Sequence, residues 1–328
     1  MGAARLCAKG GPKNTTRSAP TMSLKAPAHY RFIDYAVQAY VLTVGLLVLV
    51  FGARITGRWW LLIAHLGTVG LVHGIVEFHA HRPENRLADF LRHFYPILLY
   101  TPFYRETGLL NRMFVSQYLD GFFLGLDRSL FGFQPSIALM QNLPHPAISE
   151  LLYAFYFSYY VMIVGTGLAL YLRDKKEFFR YVSLVSFVFY ICYLVYIFLP
   201  VAGARIFYSP LEGFPQQSLS CYPLSFPDAV REGVFFRLMK FIYRHFEAEG
   251  AAFPSSHVAV ALATLFFSWQ HFKKVRWVHG FAVVMLMVST VYCRYHYVVD
   301  VFAGVVVGLG LLAIGNRLYQ RAETGLTD

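Results

Sequence analysis

Residues 253–258 read FPSSHV and stand directly before an apolar run, VAVALATLFFSW (258–269). A second polar group, CRYHYVVD (293–300), precedes another apolar run, FAGVVVGLGLLAIG (302–315). Both runs are long enough to sit in a bilayer, yet each opens on a histidine. Polar groups at such positions are costly, so either they are paired or they do chemistry.

The surrounding composition fixes the solvent. Of 328 residues, 57% are hydrophobic, 18% aromatic and 14% charged, whereas a soluble domain carries roughly 25% charged residues. Mean hydropathy is +0.47. The expected fold is therefore all-α, a polytopic membrane helical bundle whose backbone groups are satisfied inside each helix. The net charge of +11 lies mostly in short loops, where it sets topology and meets anionic headgroups; it does not read as a nucleic-acid surface.

Apolar stretches near the roughly 20 residues needed to span lie at 32–52, 59–79, 148–172, 179–200, 255–271, 277–293 and 297–316. About seven transmembrane helices are expected, with interfacial helices between the second and third. Region 80–147 mixes Arg, Asp, Pro and aromatics, and Pro96 and Pro102 weigh against one straight helix through LADFLRHFYPILLYTPFY; an extra span there would invert the sidedness of everything before it. The chain divides into a disordered tail (1–30), two transmembrane helices plus the interfacial region (31–147), a catalytic transmembrane core (148–318) and a C-terminal tail (319–328). The tail has no apolar signal core, and Met22 is an alternative start.

The loops ARITGR (53–58), RDKKEFFR (173–180) and KKVR (273–276) are basic, which assigns them to the cytoplasm. PSSH and CRYHYVVD then face the extracytoplasmic side of a plasma or inner membrane. Seven spans would put the basic N-terminus on that side too, against the same rule. Cys7, Cys192, Cys221 and Cys293 include no CxxC pair; Cys221 with Cys293 is open as a disulfide if both meet an oxidising face.

Alternating helix directions bring three polar ends together: Arg205 after the fourth span, PSSH before the fifth, and CRYHYVVD between the sixth and seventh. Ser255 or Ser256 suits a helix cap, and free N–H groups there cradle anions. His257 adds a proton donor. His296 and Asp300, four apart, share a helical face, and a carboxylate on one imidazole nitrogen makes the other a better nucleophile. Arg205 and Arg294 present planar donors that match phosphate oxygens. The set points to phosphoryl transfer on a lipid phosphate.

These residues carry a family resemblance. PSSH (254–257) resembles the PSGH element of the type 2 phosphatidic acid phosphatase superfamily, and HYVVD (296–300) resembles its closing HxxxD element. PVAGARIFY (200–208) and LDRSLFGFQPS (126–136) resemble segments of the branch containing the inositol phosphorylceramide synthases. The resemblance implies that His296 attacks phosphorus and forms a phosphohistidine, Asp300 orients it, and His257 protonates the leaving oxygen. Arg205, Ser255, Ser256 and Arg294 would hold the phosphoryl oxygens, with no metal and no cofactor. Three positions depart from the pattern: Phe198 stands where the first element has Lys, Thr290 replaces an Arg, and Ser256 stands where Gly is commoner. The expected partners are the bilayer and a lipid phosphate. Hydrolysis of phosphatidate, a polyprenyl diphosphate or a similar lipid, transfer to a hydroxyl acceptor, and a non-enzymatic lipid carrier or scaffold remain distinct readings. Neither the lipid nor the oligomeric state is legible.

Other groups have plainer readings. His65, His73, His93 and His279 suit packed or interfacial sites, Glu77, His79 and His81 a solvated loop, and the aromatics of AFYFSYY (154–160) packing and an interface belt. SLSCYPLS (218–225) fits a lid or a surface loop equally.

Overall fold

The computed structural model describes residues 29–207 and 226–324. Residues 1–28 of the expected tail, Met22 and Cys7 among them, and Tyr208, Cys221 and the 218–225 segment fall outside them, whereas Tyr30, placed in that tail, is buried and bonds His73 (3.0 Å). All the regular structure among the described residues is helical: α1 (Phe32–Phe51), α2 (Arg58–His81), α3 (Arg86–Leu110), α4 (Asp120–Phe131), α5 (Pro135–Asn142), α6 (Pro146–Arg173), α7 (Lys175–Phe198), α8 (Asp228–Arg231), α9 (Val234–Phe246), α10 (Ser256–His271), α11 (Arg276–Tyr292) and α12 (Val298–Thr324). Among the described residues five segments are long and apolar enough to cross a membrane: 32–54, α2, α6, α7 and most of α12. The expected fifth and sixth spans are shorter, 16 residues in α10 and 17 in α11.

Region 86–110 differs from the expectation of interfacial helices. It forms one 25-residue helix, with Pro96 and Pro102 inside it. At its start Asp89 meets Lys175 (2.7 Å); at its end the Asn111 side chain donates to Glu249 O. It therefore runs the length of the bundle. Its low apolarity comes in part from Arg92 and Glu106, which turn inward to partners on α1 and α2. Arg92 makes a two-pronged bond to Asp34 of α1 (2.7 and 2.6 Å), and Tyr95 OH donates to the same carboxylate. Glu106 faces His65 of α2 at 3.4 Å. Pairing is the condition on which charges are kept in such surroundings.

The extra helix reorders the ends. A 670 Å³ cavity collects Arg31, His79, Asp89, Lys175 and Tyr319, so the starts of α1, α3 and α7 and the ends of α2 and α12 share one end of the bundle. The 272–276 turn joins them, since Arg173 lies 5.1 Å over the Phe272 ring. Residues 52–57 lie at the other end: Phe51 contacts Phe114, and Phe114 stacks on Phe198. ARITGR is thus separated from the other two basic loops, and the start of α1 joins them, which removes the N-terminal charge conflict. Two further boundaries shift. EFHAHRPEN is not all loop, because α2 continues through His81. The expected C-terminal tail begins inside α12, where Tyr319 is buried against Phe32.

The core of the bundle is α7, whose hydrophobic window is mostly buried, packed on α3, α1, α10 and α12. α10 and α12 pack backbone to backbone. A Cβ on Gly304 would lie 2.6 Å from Ser255 O, and one on Gly308 2.7 Å from Ala259 Cα. Small residues four apart let the two backbones touch.

Candidate active site

Two turns build the site. The first opens α10. Ser255 is its N-cap, with Oγ accepting from Val258 N (3.4 Å), while Ser255 N donates to Asp300 O (3.1 Å) at the start of α12. Tyr196, near the end of α7, donates to Pro254 O (3.0 Å) and accepts from Ser256 N (3.2 Å). The PSS segment is thereby tied to α7 and α12 at once, which aims His257 inward. The second turn ends α11. Tyr295 N and His296 N both donate to Thr290 O (3.1 Å each), and Arg294 takes the left-handed backbone at φ +60°. That conformation usually falls to glycine at a helix end.

Within this frame the two histidine rings meet, their centroids 5.5 Å apart. His296 Nε2 lies 3.4 Å from His257 Nδ1 and 3.3 Å from Ser255 Oγ. Behind it, His296 Nδ1 faces Asp300 Oδ2 at 3.4 Å, and the same carboxylate oxygen accepts from Tyr297 N (2.9 Å). Burial away from water holds the His296 imidazole down at about 4, so it is neutral near pH 7. A neutral ring with Nδ1 turned to a carboxylate keeps its lone pair on Nε2, the atom that faces Ser255 and His257.

The two arginines are placed differently. Arg205 sits in a short 3₁₀ turn (Ala204–Phe207); its guanidinium pairs with Glu247 and lies 3.7 Å from Glu249. Gly203 brings this turn against the His296 loop: at φ +81° its missing Cβ would lie 2.3 Å from Tyr295 O. Arg294 is fully buried, with its guanidinium 5.5 Å over the Phe226 ring. Ser256 and His257 line a cavity of about 440 Å³ between α3, α6, α7 and α9, with Tyr100, Tyr104, Tyr159 and Tyr243. Tyr159 and Tyr160, read as packing and belt, line this cavity as well.

Three residues that sequence reasoning missed hold these parts in place. Asp120 of α4 accepts from Ala202 N (2.8 Å), Gly203 N (2.9 Å) and Tyr297 OH (2.8 Å). It thus clamps the Arg205 turn to the His296 loop. Burial pushes its carboxyl up to about 7, against the lowering by those donors. Asp127, one helical turn pair along, accepts from Val298 N (3.0 Å) and Val299 N (3.1 Å), capping the helix that carries Asp300. Tyr156 of α6 reaches His257 Nε2 with its hydroxyl at 3.1 Å. The spacing of Asp120 and Asp127, seven apart on an amphipathic segment, was the available signal; Tyr156 was hidden among aromatics. Cys293 is a buried free thiol. Among the described residues no three His, Cys, Asp or Glu side chains group as a metal site.

A family model described as the PAP2 superfamily matches residues 122–314, from α4 into α12, more than half of the chain. No curated protein and no solved structure matches the chain.

Proposed function

Because the chain belongs to the PAP2 superfamily, whose members are phosphatases and phosphotransferases acting on lipid-like substrates, we propose that it is a membrane lipid-phosphate phosphatase working through a phosphohistidine on His296. The single observation that carries this reading is the alignment Asp300–His296–His257. One imidazole nitrogen faces a carboxylate at 3.4 Å and the other faces a second imidazole at 3.4 Å.

The reaction follows from that alignment. His296 Nε2 attacks phosphorus while the bond to the lipid oxygen breaks, and His257 gives that oxygen its proton. Asp300 stabilises the positive charge that develops on the His296 ring. The positive end of the α10 dipole attracts the phosphoryl oxygens, with the Ser255 and Ser256 hydroxyls beside them. Arg205 joins them when an incoming phosphate competes with Glu247 for its guanidinium. Water, deprotonated by His257, then attacks phosphorus, releases inorganic phosphate and frees His296.

A lipid is the fitting substrate because the 440 Å³ cavity at His257 is lined mainly by aromatic and aliphatic side chains from long helices. The candidates are phosphatidate and polyprenyl diphosphates. Transfer of the phosphoryl headgroup to a hydroxyl acceptor is the second reading, favoured by PVAGAR (200–205), which resembles the synthase branch. Purified protein in detergent, given phosphatidate alone, should release inorganic phosphate. If phosphate is retained and a new phosphodiester forms only when a hydroxyl acceptor is added, transfer is the reaction. If no lipid phosphate in a panel is turned over, the enzymatic reading fails.

A further inference from the structure

We infer that Tyr156 is a positioning residue that sets the tautomer of His257, its phenol hydroxyl donating to Nε2 so that the proton for the leaving group sits on Nδ1. This rests on the reading of His257 as the general acid.

The Asp300 carboxylate faces His296 Nδ1 at 3.4 Å, and an acceptor there calls for a proton on Nδ1. A neutral ring then leaves His296 Nε2 as a lone pair. His257 Nδ1 approaches that lone pair at 3.4 Å. Two lone pairs would repel, so the proton of His257 is on Nδ1 and its Nε2 is the acceptor. What meets Nε2 is the Tyr156 hydroxyl at 3.1 Å, which must therefore be the donor.

Tyr156 is well built for this task. It is fully buried in the middle of α6. Its ring packs beside the His257 ring at 5.2 Å and the Tyr295 ring at 4.7 Å. Its oxygen also bonds the Tyr243 hydroxyl. With its own proton committed to His257, Tyr156 accepts from Tyr243. The chain Tyr243, Tyr156, His257, His296, Asp300 then runs in one direction, each group donating to the next. When substrate enters, His257 Nδ1 gives its proton to the leaving oxygen while Nε2 takes the Tyr156 proton, so the ring stays neutral; Tyr156 takes the Tyr243 proton, and Tyr243, which lines the cavity, regains one from water.

The test is Tyr156→Phe, which removes one oxygen and keeps the ring. Nitrogen-15 NMR of histidine-labelled protein reads the tautomer without any turnover. Wild type should show His257 protonated on Nδ1, and the variant should show the proton shared with or moved to Nε2, with the other histidines unchanged. A wild-type His257 protonated on Nε2 would overturn the proposal. Kinetics supply the second arm. With phosphatidate, whose leaving alkoxide needs a proton, Tyr156→Phe should lose about ten- to hundredfold in kcat. With para-nitrophenyl phosphate, whose leaving group needs little help, the loss should be far smaller. In a His257→Ala background the Tyr156 change should add nothing. Equal losses on both substrates, or a full further loss in that background, would also overturn it. Absence of turnover in wild type would instead strike the reading of the reaction and leave the tautomer measurement standing.

Discussion

At the scale of single residues, the proposed chemistry rests on one buried imidazole, His296. His296→Ala should abolish both turnover and the acid-labile phosphoenzyme trapped by rapid quench with a labelled substrate; a phosphoenzyme that persists would place the nucleophile elsewhere. Burial lowers the His296 value to about 4, so activity should fall only as pH drops through about 4, well below the ordinary histidine value of about 6.5. The same shift gives a stability slope. Between about 4 and 6.5 the unfolded chain binds the proton and the folded one does not, so this group's contribution is lost as pH falls through that window. An acid limb in the kcat/KM profile near 6.5 would contradict the placement. Arg294 makes a different case. Its left-handed backbone costs roughly 1–2 kcal/mol for a residue with a Cβ, so glycine would relieve the turn. Arg294→Gly should nevertheless lose activity, with a thermal midpoint that drops less than for Arg294→Ala, because the alanine keeps the backbone cost. His257, His296 and Asp300 were legible because a motif prints them in order. Tyr156 was not, because one phenol among many carries no sequence mark.

At the scale of elements, the short α4 determines whether the site is assembled. Its two carboxylates hold loops that are far apart in sequence, Asp120 the Arg205 turn and the His296 loop, Asp127 the first turn of α12. Asp127→Asn keeps one acceptor and gives up the charge at a helix N-terminus, which typically costs about 0.5–2 kcal/mol. Its thermal midpoint should fall modestly while kcat falls more, because the cap carries Asp300 with it. A drop in stability with kcat unchanged would make the cap purely structural. The contact of α10 with α12 is stricter. Gly308→Val needs side-chain volume where a bare Cβ would already lie 2.7 Å from Ala259 Cα. It should cost stability and separate His257 from Asp300, to be read as lost activity together with a lowered midpoint in detergent. Sequence marked α10, α11 and α12 clearly, through apolar runs with polar starts. It misread α3, because hydropathy counts Arg92, Glu106 and Asp89 as solvent-seeking and cannot see that Asp34, His65 and Lys175 stand opposite them.

At the scale of the whole molecule, α3 sets the sidedness. With it, residues 52–57 share the active-site end, while 173–176, 272–276 and the start of α1 share the other. Single cysteines at Arg58 and Lys176 should therefore label from opposite sides of sealed vesicles with an impermeant maleimide; Cys192 and Cys293, buried, should stay silent. Labelling of both from one side would restore the interfacial reading of 86–110. The sequence alone determined that the chain is a helical membrane bundle and that PSSH and HYVVD carry polar groups to the starts of apolar helices, because apolar length and short local motifs are properties of contiguous residues. Only the tertiary structure decided that α3 runs end to end, that Arg205 is engaged by Glu247, that Asp120 clamps two distant loops and that Tyr156 meets His257. Each of those depends on which polar group finds a partner across a helix interface, and in a low-dielectric interior that pairing, rather than any residue's own preference, sets where a charge or a hydroxyl can sit.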